Sequence, residues 1–229
     1  MPGRFFRQDI SWQDYRHLLD LVPPPGVEAP EPAYNIAPSQ FVPILRLAPE
    51  GEYVPRGTLQ IAPAMWGLVP SWWNKPLSEK KFSTFTARCE ELEASNTYRG
   101  PFRHHRCLVP ASGYYEWAGP QGQRKPFAIG LRDRRWFCFA GLWNRAMVEG
   151  SEIDTFTILS TRPNRLVSDL SRRMPVILKP SDHMRWLNAE NRKVSDLYTP
   201  YPSAEMTLWP VSPAIGNVYN QGEALIRRV

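Results

Sequence analysis

Two hydrophobic patterns divide the chain. Residues 9–22 (DISWQDYRHLLDLV) place Ile10, Tyr15, Leu18, Leu19 and Val22 on one helical stripe, with Ser11 or Asp9 as the N-cap. Pro23-Pro24-Pro25-Gly26 stops that helix, and 23–33 reads as a surface loop. Beyond it the apolar runs are short and strand-like. Strands are predicted over 41–47, 59–68, 126–131, 136–141, 154–160, 172–178 and 206–211, with residues 132–135 as a hairpin turn. Residues 51–58 read as a polar turn, and 80–93 as a strand giving way to a helix. Short capped helices are expected at 161–170 and at 181–187, the latter with Ser181 as N-cap. Residues 96–105 read as a basic, aromatic loop, and 217–222 as a polar closing loop.

Composition sharpens this into one fold class. The 24 prolines are scattered over 229 residues, which favours many loops and short strands over long helices. With no repeat or composition break, the expectation is one mixed, strand-dominated α+β domain over residues 1–229. No run of 18 apolar residues is present, so no membrane helix is predicted, and MPGRFFRQD lacks the apolar stretch of a signal peptide. Cys89, Cys107 and Cys138 form no paired spacing, which suits a reduced, intracellular chain without a disulfide framework or zinc site. The four histidines match no metal-ligand pattern, and His104-His105 between Arg103 and Arg106 reads as a basic loop. No metal or cofactor is called for.

Candidate chemistry centres on residues 106–117 (RCLVPASGYYEW). An apolar strand start, turn residues at 110–113, and then Tyr114-Tyr115-Glu116-Trp117 set one carboxylate among three aromatics. Such burial raises a glutamate's pKa toward neutrality and suits it to proton transfer. A strand-end glutamate paired with one of the 28 Lys/Arg is the alternative. Trp72 and Trp73 are adjacent on a loop, so at least one should be exposed or in a cleft. In a chain of net charge +6 with nine Trp, an exposed indole can serve as a base-stacking platform for a polyanion; it can equally fold back over the core.

Taken in order, several segments resemble the SRAP family (SOS response-associated peptidases, the abasic-site processing proteins). They are Gly3-Arg4-Phe5, Tyr34-Asn35-Ile36-Ala37-Pro38, residues 66–73 (WGLVPSWW), Ala87-Arg88-Cys89-Glu90, residues 106–117, residues 173–178 (RMPVIL), and Pro210-Val211-Ser212 with Gly216-Asn217-Val218. The resemblance implies a β-rich, barrel-like core flanked by helices and a basic channel for single-stranded DNA. It also implies an N-terminal cysteine whose amine and thiol close a thiazolidine on the abasic aldehyde, assisted by a glutamate, an asparagine and a histidine. Family members are thought as well to remove residues preceding that cysteine. By this resemblance Glu116 is the glutamate; Arg4, Asn35, Arg88 and Arg173 line the DNA path; Trp72 and Trp73 separate or stack bases.

Three positions depart from the family pattern. Pro2 replaces the cysteine, Thr86 the asparagine and Ser171 the histidine. A thiazolidine needs sulfur and nitrogen on one residue, so that crosslink is not expected. Three functions follow: a cytoplasmic protein of the DNA damage response that binds single-stranded or abasic DNA without the stable crosslink; a lyase in which Pro2, freed of Met1, forms a Schiff base with Glu116 moving protons; or a fold reused for a ligand other than DNA. Proline at position 2 permits Met1 removal, and a retained Met1 would block the amine.

Overall fold

Short buried strands dominate, and their pairing explains the spacing of the apolar runs. A computed structural model describes residues 3–19, 21, 26–50, 52, 54–80, 82–120, 122–148 and 150–229. Pro2, Asp20 and Val22 of the expected helix, and residues 23–25 of its stop lie outside the described residues. The first half comprises β1 (Phe5–Arg7), α1 (Trp12–Leu19), β2 (Ala33–Ile36), β3 (Phe41–Leu47), β4 (Leu59–Trp66), β5 (Thr86–Arg88), α2 (Arg99–His104) and β6 (Arg106–Ala111). The second half comprises β7 (Gly113–Ala118), β8 (Lys125–Leu131), β9 (Phe137–Val148), β10 (Ser151–Thr161), β11 (Met174–Pro175), β12 (Ile177–Leu178), α3 (His183–Leu187) and β13 (Met206–Pro210).

Among the described residues, strands β10-β4-β3-β6-β9 pair in sequence, and β9 pairs back to β10, so they close into a barrel. The β10–β4 contact is parallel and the others in the ring are antiparallel. A second sheet has the order β13-β8-β7-β1-β2. Helices are few and short, giving the strand-dominated α+β architecture that the apolar pattern predicts with the barrel core that the resemblance implies. The core is aromatic: Phe5 packs edge-on against Trp66 and Phe139, and Trp66 stacks on Phe156. Burying one such side chain stabilises the fold by roughly 1.5–3 kcal/mol.

One continuous stretch links the two sheets. Strand β6 belongs to the barrel and β7 to the second sheet, with only Ser112 between them. The expected turn at 110–113 therefore contracts to one residue, because Pro110 stays in β6 opposite Cys138. Gly113 makes the passage possible. A Cβ there would drive into the Phe6 ring and meet the Ile129 carbonyl oxygen at 2.6 Å.

Several expectations are corrected. Residues 132–135 are no hairpin: β8 pairs with β7 and β13, whereas β9 pairs in the barrel, so this segment crosses between sheets. The expected helix at 161–170 is a run of turns organised by Asn164, whose Oδ1 accepts the Val167 N–H at 3.0 Å. Ser181 is no N-cap, since a 3₁₀ turn (Pro180–Asp182) leads into α3 without a side-chain cap. The basic loop at 96–105 contains α2, held by the buried Phe102. At α1 the Ser11 reading holds: Ser11 N–H donates to Asp14 at 2.8 Å and Asp14 N–H donates back to Ser11 Oγ at 3.2 Å.

Candidate functional site

Glu116 lies on β7, 7% exposed, beside the strand that begins the chain. The register Phe5↔Tyr114 runs antiparallel, and Tyr115 N–H donates to the Arg4 carbonyl at 3.0 Å, so Gly3 continues toward Glu116. Burial pushes the Glu116 carboxyl above its ordinary range, partly offset by a hydrogen bond with the Ser171 hydroxyl. Burial pushes the neighbouring Tyr114 phenol up as well. A carboxyl raised by burial in this way suits general acid–base work.

Around it the chain gathers residues distant in sequence. Ser171 Oγ accepts the Arg173 N–H at 3.4 Å. The Arg173 guanidinium grips Glu90 with two bonds, at 3.0 and 2.7 Å, and donates to the Ser160 carbonyl. That bidentate pairing holds the Glu90 carboxyl below its usual range. Ser160 is opposite Arg88 in the parallel β5–β10 pair, and its hydroxyl donates to the Ala87 carbonyl at 3.2 Å. Thr86, half-buried, begins the same β5 strand opposite Ile158. Glu116, Ser171, Arg173 and the Thr86–Arg88 strand thus form one connected wall.

Arg4 and Asn35 form a second wall. Arg4 Nη1 donates to Asn35 Oδ1 at 2.7 Å, and Asn35 Nδ2 donates to the carbonyls of Asn217 at 2.8 Å and Asn220 at 3.1 Å. Asn35 is fully buried behind Arg4. Its amide is consumed in pinning the loop at 217–220. Burial draws the Arg4 pKa down.

The tryptophans divide the labour between them. Trp72 is 54% exposed and stacks on Phe82 at 6.2 Å, while Trp73 is half-buried and meets Phe82 edge-on at 5.6 Å. This cluster is built on its own loop and packs against Phe82, not against Glu116. Arg88 is exposed and donates to Glu91 at 3.0 Å. Reading the sequence missed Glu90, Ser160 and Phe82. Only Glu90 left a signal, as the last residue of the Ala87-Arg88-Cys89-Glu90 motif. Among the described residues no group of His, Cys, Asp or Glu could hold a metal ion, and no helix is long and apolar enough to cross a membrane.

A barrel with a second sheet that sets one glutamate beside the start of the chain defines a recognisable class. The family model for the SOS response associated peptidase (SRAP) matches residues 1–218, and the chain belongs to that family. It is similar to the abasic site processing protein YoqW of Bacillus subtilis, 36% identical over 203 residues covering 85% of each chain. It is also similar to the abasic site processing protein YedK of Escherichia coli, 30% identical over 236 residues and the whole of both chains. A solved structure from Bordetella bronchiseptica shares the fold with a TM-score of 0.74 at 26% identity, covering 91% of this chain and 99% of that one.

Proposed function

We propose that the protein is a DNA damage response protein of the cytoplasm that binds abasic sites in single-stranded DNA as one SRAP-like domain over residues 1–229. The names of its relatives support DNA as the partner. The observation that carries the reading is the buried Glu116, raised in pKa and hydrogen-bonded to Ser171, where the start of the chain runs along β7. Exposed Trp72 suits stacking on an unpaired base, with Trp73 as its support, and Arg4, Arg88 and Arg173 suit phosphate contacts behind which Asn35 holds the frame. Pro2 has no thiol, and Thr86 and Ser171 supply hydroxyls where the family resemblance implies an amide and an imidazole. Binding is therefore expected without a stable thiazolidine.

A second reading is favoured by the same raised carboxyl. With Met1 removed, the secondary amine of Pro2 adds to the open-chain aldehyde and loses water to an iminium. Glu116 then moves the proton that permits β-elimination of the 3′ phosphate.

One experiment separates the two. Protein with its N-terminus verified by intact mass is incubated with single-stranded DNA bearing one abasic site, with and without borohydride. The binding reading predicts a native-gel complex that weakens with salt and no denaturing-gel adduct. A borohydride-dependent adduct, lost when the N-terminal amine is blocked, would replace it with the lyase reading. Absence of any salt-sensitive complex would sink both.

A further inference from the structure

The other end of the barrel carries a basic cavity that the Glu116 site does not use. Strand β6 runs from Arg106 at this cavity to Ala111, next to the crossing into β7, a distance of about 17 Å for extended chain. The cavity holds about 770 Å³, within the usual span of small-ligand sites. Arg56, Arg103 and Arg192 line it, Arg103 paired with Glu93 at 2.8 Å and Arg56 4.0 Å from Glu50; among the described lining residues Glu50 and Glu190 are the acidic ones.

Arg106 makes this more than a charged surface. It is 2% exposed and lines the cavity wall. Its Nε donates to the Phe102 carbonyl at 2.9 Å and its Nη1 to the Asn191 carbonyl at 2.9 Å, while Nη2 has no hydrogen-bond partner among the described residues. The guanidinium lies over the rings of Phe102 at 4.5 Å and Trp186 at 5.0 Å. Its hydrogen-bond partners are neutral carbonyls, with Glu93 the carboxylate whose charge reaches it, so a rigid positive charge stands in the cavity wall. Beside it the His105 ring stacks on Trp143 at 4.5 Å. Burial, then the neighbouring His104 and the charge of Arg46, lower the His105 pKa.

We propose that this cavity is a second anion site, remote from Glu116, that takes the phosphate of a nucleotide-type ligand, supplied either by a free nucleotide or by the backbone of a nucleic-acid chain. Arg56 and Arg192 are exposed and close the mouth, with buried Arg106 supplying the fixed charge behind them.

The test compares wild-type protein with the double variant Arg56→Glu/Arg192→Glu, and with Glu116→Gln as the control at the other end. Probes are inorganic phosphate, ADP and a single-stranded oligonucleotide without an abasic site. For a free-nucleotide ligand, ADP binds wild type and Glu116→Gln alike by calorimetry, and the double variant loses roughly tenfold or more in affinity. For a backbone ligand, ADP and phosphate produce no heat, but the double variant lowers the slope of log affinity against log salt for the oligonucleotide by about 1.4. The proposal is overturned if none of the three probes distinguishes the double variant from wild type.

Discussion

Two buried carboxylate sites in one molecule reach opposite states. Inside one end of the barrel, Asp154 accepts from Arg46 at 3.0 Å and Arg145 at 2.8 Å, and Glu52 accepts from the same two arginines at 2.7 Å each. Burial pushes the Glu52 carboxyl up, but hydrogen bonds from Arg46, Gln60 and Arg145 outweigh it and bring it to about 2. At the other site burial dominates, and Glu116 rises. A carboxylate clamped between guanidinium groups stays ionised and holds strands together. One set among tyrosines with a hydroxyl partner holds its proton more tightly than a free carboxyl does, which is useful for chemistry and of little use as a strut.

The contrast can be broken hardest at the clamp. Arg46→Met removes a 3%-exposed side chain that joins both acids, leaving Arg145 as the one guanidinium between them, and should cost about 3–5 kcal/mol in urea unfolding. Unfolding with an unchanged midpoint would mean that the clamp contributes nothing. At the site, Trp72→Ala should leave unfolding free energy within about 0.5 kcal/mol of wild type, because the side chain is largely exposed, yet weaken single-stranded DNA binding by about 1–3 kcal/mol. Equal losses in both measurements would assign Trp72 to the fold instead. The smallest effect is Glu116→Gln, read as the pH dependence of melting temperature. A raised folded pKa means that the native state holds its proton more tightly than the unfolded chain does. That contribution is complete below the ordinary carboxylate value and is lost as pH rises through the folded value. Glutamine removes this term, so the decline in stability toward neutral pH should flatten. Glu52 acts with the opposite sign: its contribution is complete above the ordinary value and is lost as pH falls toward about 2.

What the sequence disclosed was local. Glu116 among aromatics, the adjacent Trp pair and the Ser11 cap are each written within a few residues, and each is where the pattern puts it. Pairings between distant segments were hidden. Arg173 meets Glu90 across 83 positions, and Asn35 meets Asn217 across 182, distances at which no periodicity speaks. The segment at 132–135 misled for a related reason: a polar break between two apolar runs looks the same whether the chain turns back in its own sheet or climbs into another. Helix α2 was concealed by Gly100 and Pro101, which argue against a helix locally but are overruled by burial of Phe102.

Gly113 has a bearing on how such a protein drifts over generations. Any side chain there collides with Phe6 and the Ile129 backbone, and Gly141 is walled just as closely by Cys107 Sγ and the Thr157 carbonyl, each 2.9 Å from where a Cβ would sit. Thr86 and Ser171, in contrast, are only half-buried. Selection for a folded chain polices the joint between the sheets whatever reaction is performed, and polices half-buried positions such as these less closely. A lineage with this barrel can thus change side chains at such positions and still inherit the frame intact.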